Sequence, residues 1–284
     1  MILFWAGLLA VTTALYVLLD GFDLGVGVLF AFADEVNRRK MLSAISPVWD
    51  GNETWLVVTG TVMFGAFPAA YAALLSAFYL PLVLMLCALI LRGVAFEFRY
   101  KAVIGFRWIW DLSFAGGSLV ATFIQGMTVG ALVQGLPMKD GHYVGGSFGW
   151  FSPFAALCGL GLVLGYSLLG ASWLVRKCEG PIRERAYQLL PVLTVGVLAF
   201  LATVFVLALA MHLSLMARWL ERPYLLIFPL IGAISSIVEQ AASPPASLNF
   251  MFWGAGLFVM PLTLVYSLVV YRLFRGKVAD AHQE

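Results

Sequence analysis

Residues 3–33 read LFWAGLLAVTTALYVLLDGFDLGVGVLFAFA, an apolar run whose only charged side chains are Asp20 and Asp23. A helix crosses the hydrocarbon core of a bilayer with about 20 mostly apolar residues. This stretch is long enough to do so, and it carries two acids inside the span. The rest of the chain follows the same pattern. Of its 284 residues 62% are hydrophobic and 11% charged, and the mean hydropathy is +0.95. A soluble domain is nearer half apolar and a quarter charged. A globule of this size cannot hide so much apolar surface, which excludes a soluble enzyme and a disordered chain. The net charge of +2 offers little to a polyanion and excludes a nucleic-acid binder.

Full-length spans are predicted over 3–33, 54–75, 77–96, 112–135, 151–175, 190–213 and 249–271. The expected fold class is all-α, a polytopic transmembrane helix bundle forming one membrane domain over 1–284. The apolar segment 224–235 would cover only about 18 Å as a helix, too short to cross. Of the 17 Lys and Arg, fourteen fall after spans one, three and five and at the C-terminus, while Lys139, Arg218 and Arg222 lie on the other side. The positive-inside rule puts the basic side in the cytoplasm and the N-terminus outside. Met1 to Trp5 shows no basic n-region and no small-residue cleavage site, so the first span reads as retained and not as a signal peptide. Parity then forbids a single crossing at 224–237. That segment is re-entrant, interfacial, or the stump of a helix pair with residues missing. Trp5, Trp55, Trp108, Trp110, Trp150, Trp173, Trp219 and Trp253 fall near predicted span ends and read as interfacial belts.

Ionisable groups within a bilayer are costly and face the bundle interior or a partner. Asp20 and Asp23 stand three residues apart on one helix face. Gly21, Gly25 and Gly27 supply small-residue positions at which another helix can approach closely. Two readings stand for the acids: a proton-relay or ion site, or a packing motif with hydrogen-bonded carboxylates. A second cluster, Pro47-Val48-Trp49-Asp50-Gly51-Asn52-Glu53-Thr54-Trp55, opens span two on the basic side. Asp50, Asn52 or Thr54 suits an N-cap and Glu53 the positive end of the helix dipole. A proton-uptake mouth would use the surplus acid. A third cluster, Arg92-Gly93-Val94-Ala95-Phe96-Glu97-Phe98-Arg99-Tyr100-Lys101, closes span three. If it stays helical, Glu97 and Lys101 pair at i,i+4. Arg92, the deepest cation, reads either as a snorkelling anchor or as the ion-pair partner of Asp20, Asp50 or Glu53, while Arg99, Lys101 and Arg107 read as snorkelling anchors.

His142, His212 and His282 lie in a loop, at a span end and in the tail, so no histidine sits mid-span for axial haem ligation. Cys87, Cys158 and Cys178 lack C-x-x-C spacing, which argues against a disulfide framework and a zinc site. No metal ligand set is expected.

The three polar segments, Leu18 to Gly27, Pro47 to Leu56 and Leu91 to Arg99, resemble subunit II of the cytochrome bd-type quinol oxidases. Ala241 to Leu248 and the last span resemble its cyanide-insensitive branch. The resemblance implies a bacterial inner-membrane protein, its N-terminus periplasmic and C-terminus cytoplasmic, in a heterodimer with subunit I. Subunit I would hold haems b and d and the quinol site and reduce O₂ to water. This chain would bind no haem through its own ligands. A structural quinone, an O₂ route and a small single-span third subunit are compatible with the family. The resemblance places Asp50 on a cytoplasmic proton path, Glu97 and Lys101 near its entrance, and Trp55 and Arg92 in the polar interior beside it. Asp20 and Asp23 complete the candidate path, with Trp49, Asn52, Glu53 and Arg99 as supporting polar residues. Family members have nine spans, so the resemblance also implies a stretch missing between about 231 and 239. A secondary transporter or channel using Asp20 and Asp23, and a purely structural subunit, are the competing readings.

Overall fold

The computed structural model describes residues 1–140, 142–211 and 260–273. Helix α1 runs over Ile2–Phe30, α2 over Glu35–Ile45, α3 over Trp49–Ala66, α4 over Pro68–Ala77 and α5 over Tyr79–Phe98. Two 3₁₀ turns, Arg99–Lys101 and Ile104–Phe106, lead into α6 (Arg107–Gln134). A small hairpin of β1 (Met138–Lys139) and β2 (His142–Tyr143) precedes α7 (Pro153–Lys177), α8 (Pro181–Ala210) and α9 (Met260–Leu273). Asp140, in the hairpin turn, adopts φ 52°. Asp tolerates that left-handed conformation better than most residues.

Among the described residues five helices are long and apolar enough to cross a membrane: α1, α5, α6, α7 and α8. They make an all-α, multi-pass bundle. Helix α1 packs against α3, α6 and α7, and α6 packs against both α5 and α7. The acid-bearing first span therefore runs through the middle of the described bundle. The remaining part of the last predicted span, 249–259, and the segment between about 231 and 239 lie outside the described residues, as do Trp219 and Trp253.

The second span departs from expectation. It is not one helix over 54–75 but α3 and α4, parted at Phe67 (φ −134°, ψ 58°). Pro68 is the cause: its ring disfavours the helical conformation in the preceding residue, and it has no N–H to continue the ladder, so it starts a new helix at N1. Helix α3 also begins earlier than predicted, at Trp49. The basic connection after α1 is not a plain loop. Asp34 caps α2, accepting from the Asn37 backbone N–H at 2.9 Å and its Nδ2 at 2.8 Å. Met41, Leu42 and Ile45 of α2 turn into the core beneath α1, against Phe30, Phe96 and Phe114. Trp5 and Trp55 are not interfacial anchors either. Both are fully buried between helices, Trp55 against Tyr16.

Candidate functional site

The polar centre is built where α1, α3 and α5 converge. Glycine on α1 makes that convergence possible. A Cβ at Gly25 would overlap the Tyr166 carbonyl oxygen of α7, and one at Gly27 would overlap the Ser118 hydroxyl of α6. At Gly21 it would sit 2.8 Å from the Tyr166 ring. The small residues singled out in the sequence are thus the points at which α1 touches two other spans. Their close approach fixes the rotation of α1 and turns both acids inward, where Asp20 and Asp23 are fully buried.

Arg92 of α5 reaches across to Asp20, its Nη1 donating to Oδ1 at 3.3 Å. The same Nη1 lies 3.7 Å from Glu53 Oε2 of α3. Of the counter-charges considered from the sequence, Asp20 and Glu53 are the partners. Arg92 is 1% exposed, so it does not snorkel. Asp23 pairs differently: Asn52 Nδ2 donates to its Oδ2 at 2.7 Å and to the Leu19 carbonyl at 3.3 Å. The Tyr271 hydroxyl of α9 donates to Asn52 Oδ1 at 2.8 Å. Asn52 is therefore a buried connector and not an N-cap. The cap position of α3 falls on Val48, which makes no side-chain capping bond.

Three carboxyl groups surround one guanidinium in this cluster. Asp20 Oδ2, Asp23 Oδ1, Arg92 Nε and Trp55 Nε1 are buried with no hydrogen-bond partner among the described residues. A buried polar atom without a partner is costly, and three carboxyl groups around a single guanidinium cannot all ionise cheaply within a bilayer. Asp50 stands one turn before Glu53 on α3 and is exposed. Trp49 is half-buried, its ring 5.0 Å from that of Phe96 and its edge facing Gly93 of α5.

Three residues of the third cluster behave differently from expectation. Glu97 and Lys101 are both exposed, but they do not form an i,i+4 pair: the helix tightens to a 3₁₀ turn at Arg99, which breaks the spacing, and the Lys101 ammonium lies 5.8 Å over the Phe98 ring. Arg99 is no snorkelling anchor. At 2% exposure it is clamped by Asp111 through Nε and by Glu35 Oε2 through Nη2 at 2.7 Å. Arg38 adds a 2.9 Å bond to Asp111, and Arg107 approaches Glu35 at 3.4 Å. The guanidinium groups of Arg38 and Arg99 also lie over the Phe30 ring at 5.2 and 5.6 Å. Arg99 thus belongs to a network tying α2, α5 and α6 together, separate in its partners from the Arg92 group.

Sequence reading missed that network. Its available signal was an acid, Asp111, in the first turns of α6 beside a surplus of arginines at the same membrane end. It also missed Gln125, which donates to the Tyr16 hydroxyl at 2.6 Å and accepts from that of Tyr166 at 3.2 Å. A glutamine inside an apolar span was the available clue. His142 is exposed in β2, while His212 and His282 lie outside the described residues.

This arrangement can be set beside known proteins. The chain is 40% identical over 178 residues to "Probable cytochrome oxidase subunit 2" of Haemophilus influenzae, covering 59% of this chain and 46% of that protein. It is 35% identical over 190 residues to "Cytochrome bd-I ubiquinol oxidase subunit 2" of Escherichia coli, covering 64% and 50%. It is also 35% identical over 207 residues to "Cytochrome bd ubiquinol oxidase subunit 2" of Bacillus subtilis, covering 70% and 61%. The chain spans about half the length of the first two of these relatives. The family described as cytochrome bd terminal oxidase subunit II matches residues 1–238, a stretch containing Asp20, Asp23, Asn52, Glu53 and Arg92. By that match, over well more than half its length, the chain belongs to the cytochrome bd terminal oxidase subunit II family.

Proposed function

We propose that this chain is the second subunit of a membrane quinol:O₂ oxidoreductase of aerobic respiration, joined to a haem-bearing subunit I. In that complex it supports assembly and carries protons inward from the cytoplasmic face. The observation that carries this reading is the group formed by buried Asp20 and Arg92 with half-buried Glu53, and exposed Asp50 one turn from Glu53 on α3. An exposed acid one helical turn from a buried, charge-rich cluster gives a proton a place to enter and a place to rest. Asp23 and Asn52 extend the cluster along α1. Glu97 and Lys101, exposed near the end of α5, are assigned to gathering protons at the surface.

The basic side faces the cytoplasm of a bacterial inner membrane in this reading, since Arg38, Arg99 and Arg107 share the end of the bundle that α2 covers. The donor set supports placing haems b and d in the partner. His142 is the only histidine among the described residues, and it is exposed on a hairpin between spans. Haems held by that partner would supply the electron transfer and O₂ chemistry, and a structural quinone would be held by apolar residues. This chain's own residues position charge and conduct protons.

Replacing Asp50 with Asn tests the path. Quinol-driven O₂ uptake per haem should fall while haem content stays normal. Uptake per haem equal to the unaltered complex would remove Asp50 from the path. A reduced yield of complex with full activity per haem would instead mark a structural subunit.

A further inference from the structure

Next to the acid cluster, and reaching it at Tyr271, the strongest unassigned feature is a cleft of about 600 Å³ between α1, α7 and α9. Its wall is apolar toward the membrane interior, with Leu18 and Phe22 of α1 and Leu268 of α9. At the other end Arg176 of α7 and Arg272 of α9 line it, both exposed. No carboxylate among the described residues lies within ion-pair distance of either guanidinium. Trp173 forms a rigid part of the lining. Its ring stacks on Phe22 at 4.1 Å between centroids, its indole N–H donates to the Ala44 carbonyl at 3.1 Å, and the Lys177 ammonium lies 5.1 Å from its ring centroid.

We infer that this cleft binds one anionic phospholipid, its phosphodiester held by Arg176 and Arg272 and an acyl chain lying along Leu18, Phe22 and Leu268. The chemistry follows from the geometry. An apolar cleft between spanning helices is filled from the hydrocarbon phase, and two arginines at its interfacial end match a phosphate in charge and in donor pattern. A zwitterionic lipid would bring its own cation to the same place and gain less. The inference rests on the membrane bundle alone and is independent of the proposed oxidase activity.

The test uses the full chain, in whatever complex it purifies with, reconstituted in nanodiscs of equal parts phosphatidylglycerol and phosphatidylcholine. Native mass spectrometry after extraction then counts the retained lipid. One phosphatidylglycerol should be retained in preference to phosphatidylcholine. The Arg176→Gln, Arg272→Gln double variant should weaken that retention about 30-fold, on the scale expected for two cations at a membrane surface. Arg39→Gln, also at the basic end but off the cleft, should leave it unchanged. Leu268→Trp fills the apolar wall while sparing both arginines and should also weaken retention, which guards against misfolding of the double variant as the explanation. Equal retention of the two lipids, no retained lipid, or an unaffected double variant would overturn the inference. So would displacement by inorganic phosphate combined with an unaffected Leu268→Trp variant, which would assign the arginines to a free anion.

Discussion

Gly25 of α1 and Gly170 of α7 meet backbone against backbone. A Cβ on Gly170 would stand 2.5 Å from the Gly25 carbonyl carbon and from the Val26 nitrogen, and one on Gly25 would stand 3.0 Å from the Gly170 nitrogen. Between helices in a membrane, where lipid is as apolar as the side chains, such close packing is a principal source of association. Here it also sets the direction in which Asp20 and Asp23 point, so the packing reading and the polar-site reading of this motif describe one arrangement.

Replacing Gly25 with Ala should therefore force α1 and α7 apart, because the obstruction is backbone and cannot rotate away. The expected cost is about 1–3 kcal/mol, seen as a lower thermal midpoint in detergent. Gly165 of the same helix α7 has nothing within 4 Å of an added Cβ. Gly165→Ala should be neutral or slightly stabilising. Equal effects from the two substitutions would contradict the close-contact account.

Arg92 carries the second prediction. It is 1% exposed and faces Asp20 at 0% and Glu53 at 27%. Arg92→Met would leave Asp20 buried and uncompensated, a loss of about 3–5 kcal/mol for breaking a buried pair. Adding Asp20→Asn to it should recover a part of that loss, since the neutral pair no longer strands a charge. Denaturant unfolding of the two variants in detergent decides the matter: a double variant no more stable than the single one would show that the ion pair is not what Arg92 contributes.

Five of the seven predicted spans, and the residues of the three polar clusters, were legible because membrane burial imposes a length and a penalty that single residues display directly. Asp20, Asp23 and Arg92 stood out by being charged where charge is expensive. Pro68 was also visible, but its effect on span two was hidden by the continuous apolar run on both sides. What could not be read was pairing at long range. Arg92 meets Asp20 across 72 positions and Tyr271 meets Asn52 across 219. Which acid faces which base depends on the rotation of each helix about its axis, and that is fixed by contacts such as Gly25 against Gly170. Arg99 shows the consequence. From its position it looked like an interfacial anchor, and only the fold of α2 and the start of α6 bring Glu35 and Asp111 to it.

Asn52 joins α1, α3 and α9 through one side chain, and its two neighbours should not be energetically independent. Tyr271→Phe removes one neutral hydrogen bond and should cost about 1 kcal/mol. Asn52→Leu strands Asp23 Oδ2 and the Tyr271 hydroxyl together and should cost about 2–3 kcal/mol. Once Asn52 is gone, removing the Tyr271 hydroxyl should cost little or become favourable. A double-mutant cycle measures that coupling, expected at about 1 kcal/mol or more. Strictly additive losses would mean that Tyr271 does not hold Asn52 in place.

Cys178, just beyond α7, gives a pH-dependent prediction away from the spans. Its side chain is 1% exposed, and burial pushes the thiol up to about 11, against the opposing pull of Lys40 and Lys177. A free thiol titrates near about 8.5. The folded chain therefore keeps its proton on Cys178 across a range in which the unfolded chain has released it. The sign follows: this contribution to stability is complete below about 8.5 and is lost progressively as pH rises toward 11. Unfolding midpoints should fall over that interval, and Cys178→Ala should flatten the slope. Since the thiolate is the nucleophile, alkylation of Cys178 at pH 8 should run roughly a hundredfold or more slower in the folded chain than in the denatured one. Mass spectrometry of the tryptic fragment carrying Cys178 reads both rates, and comparable rates would show that the thiol is neither buried nor held in its neutral form.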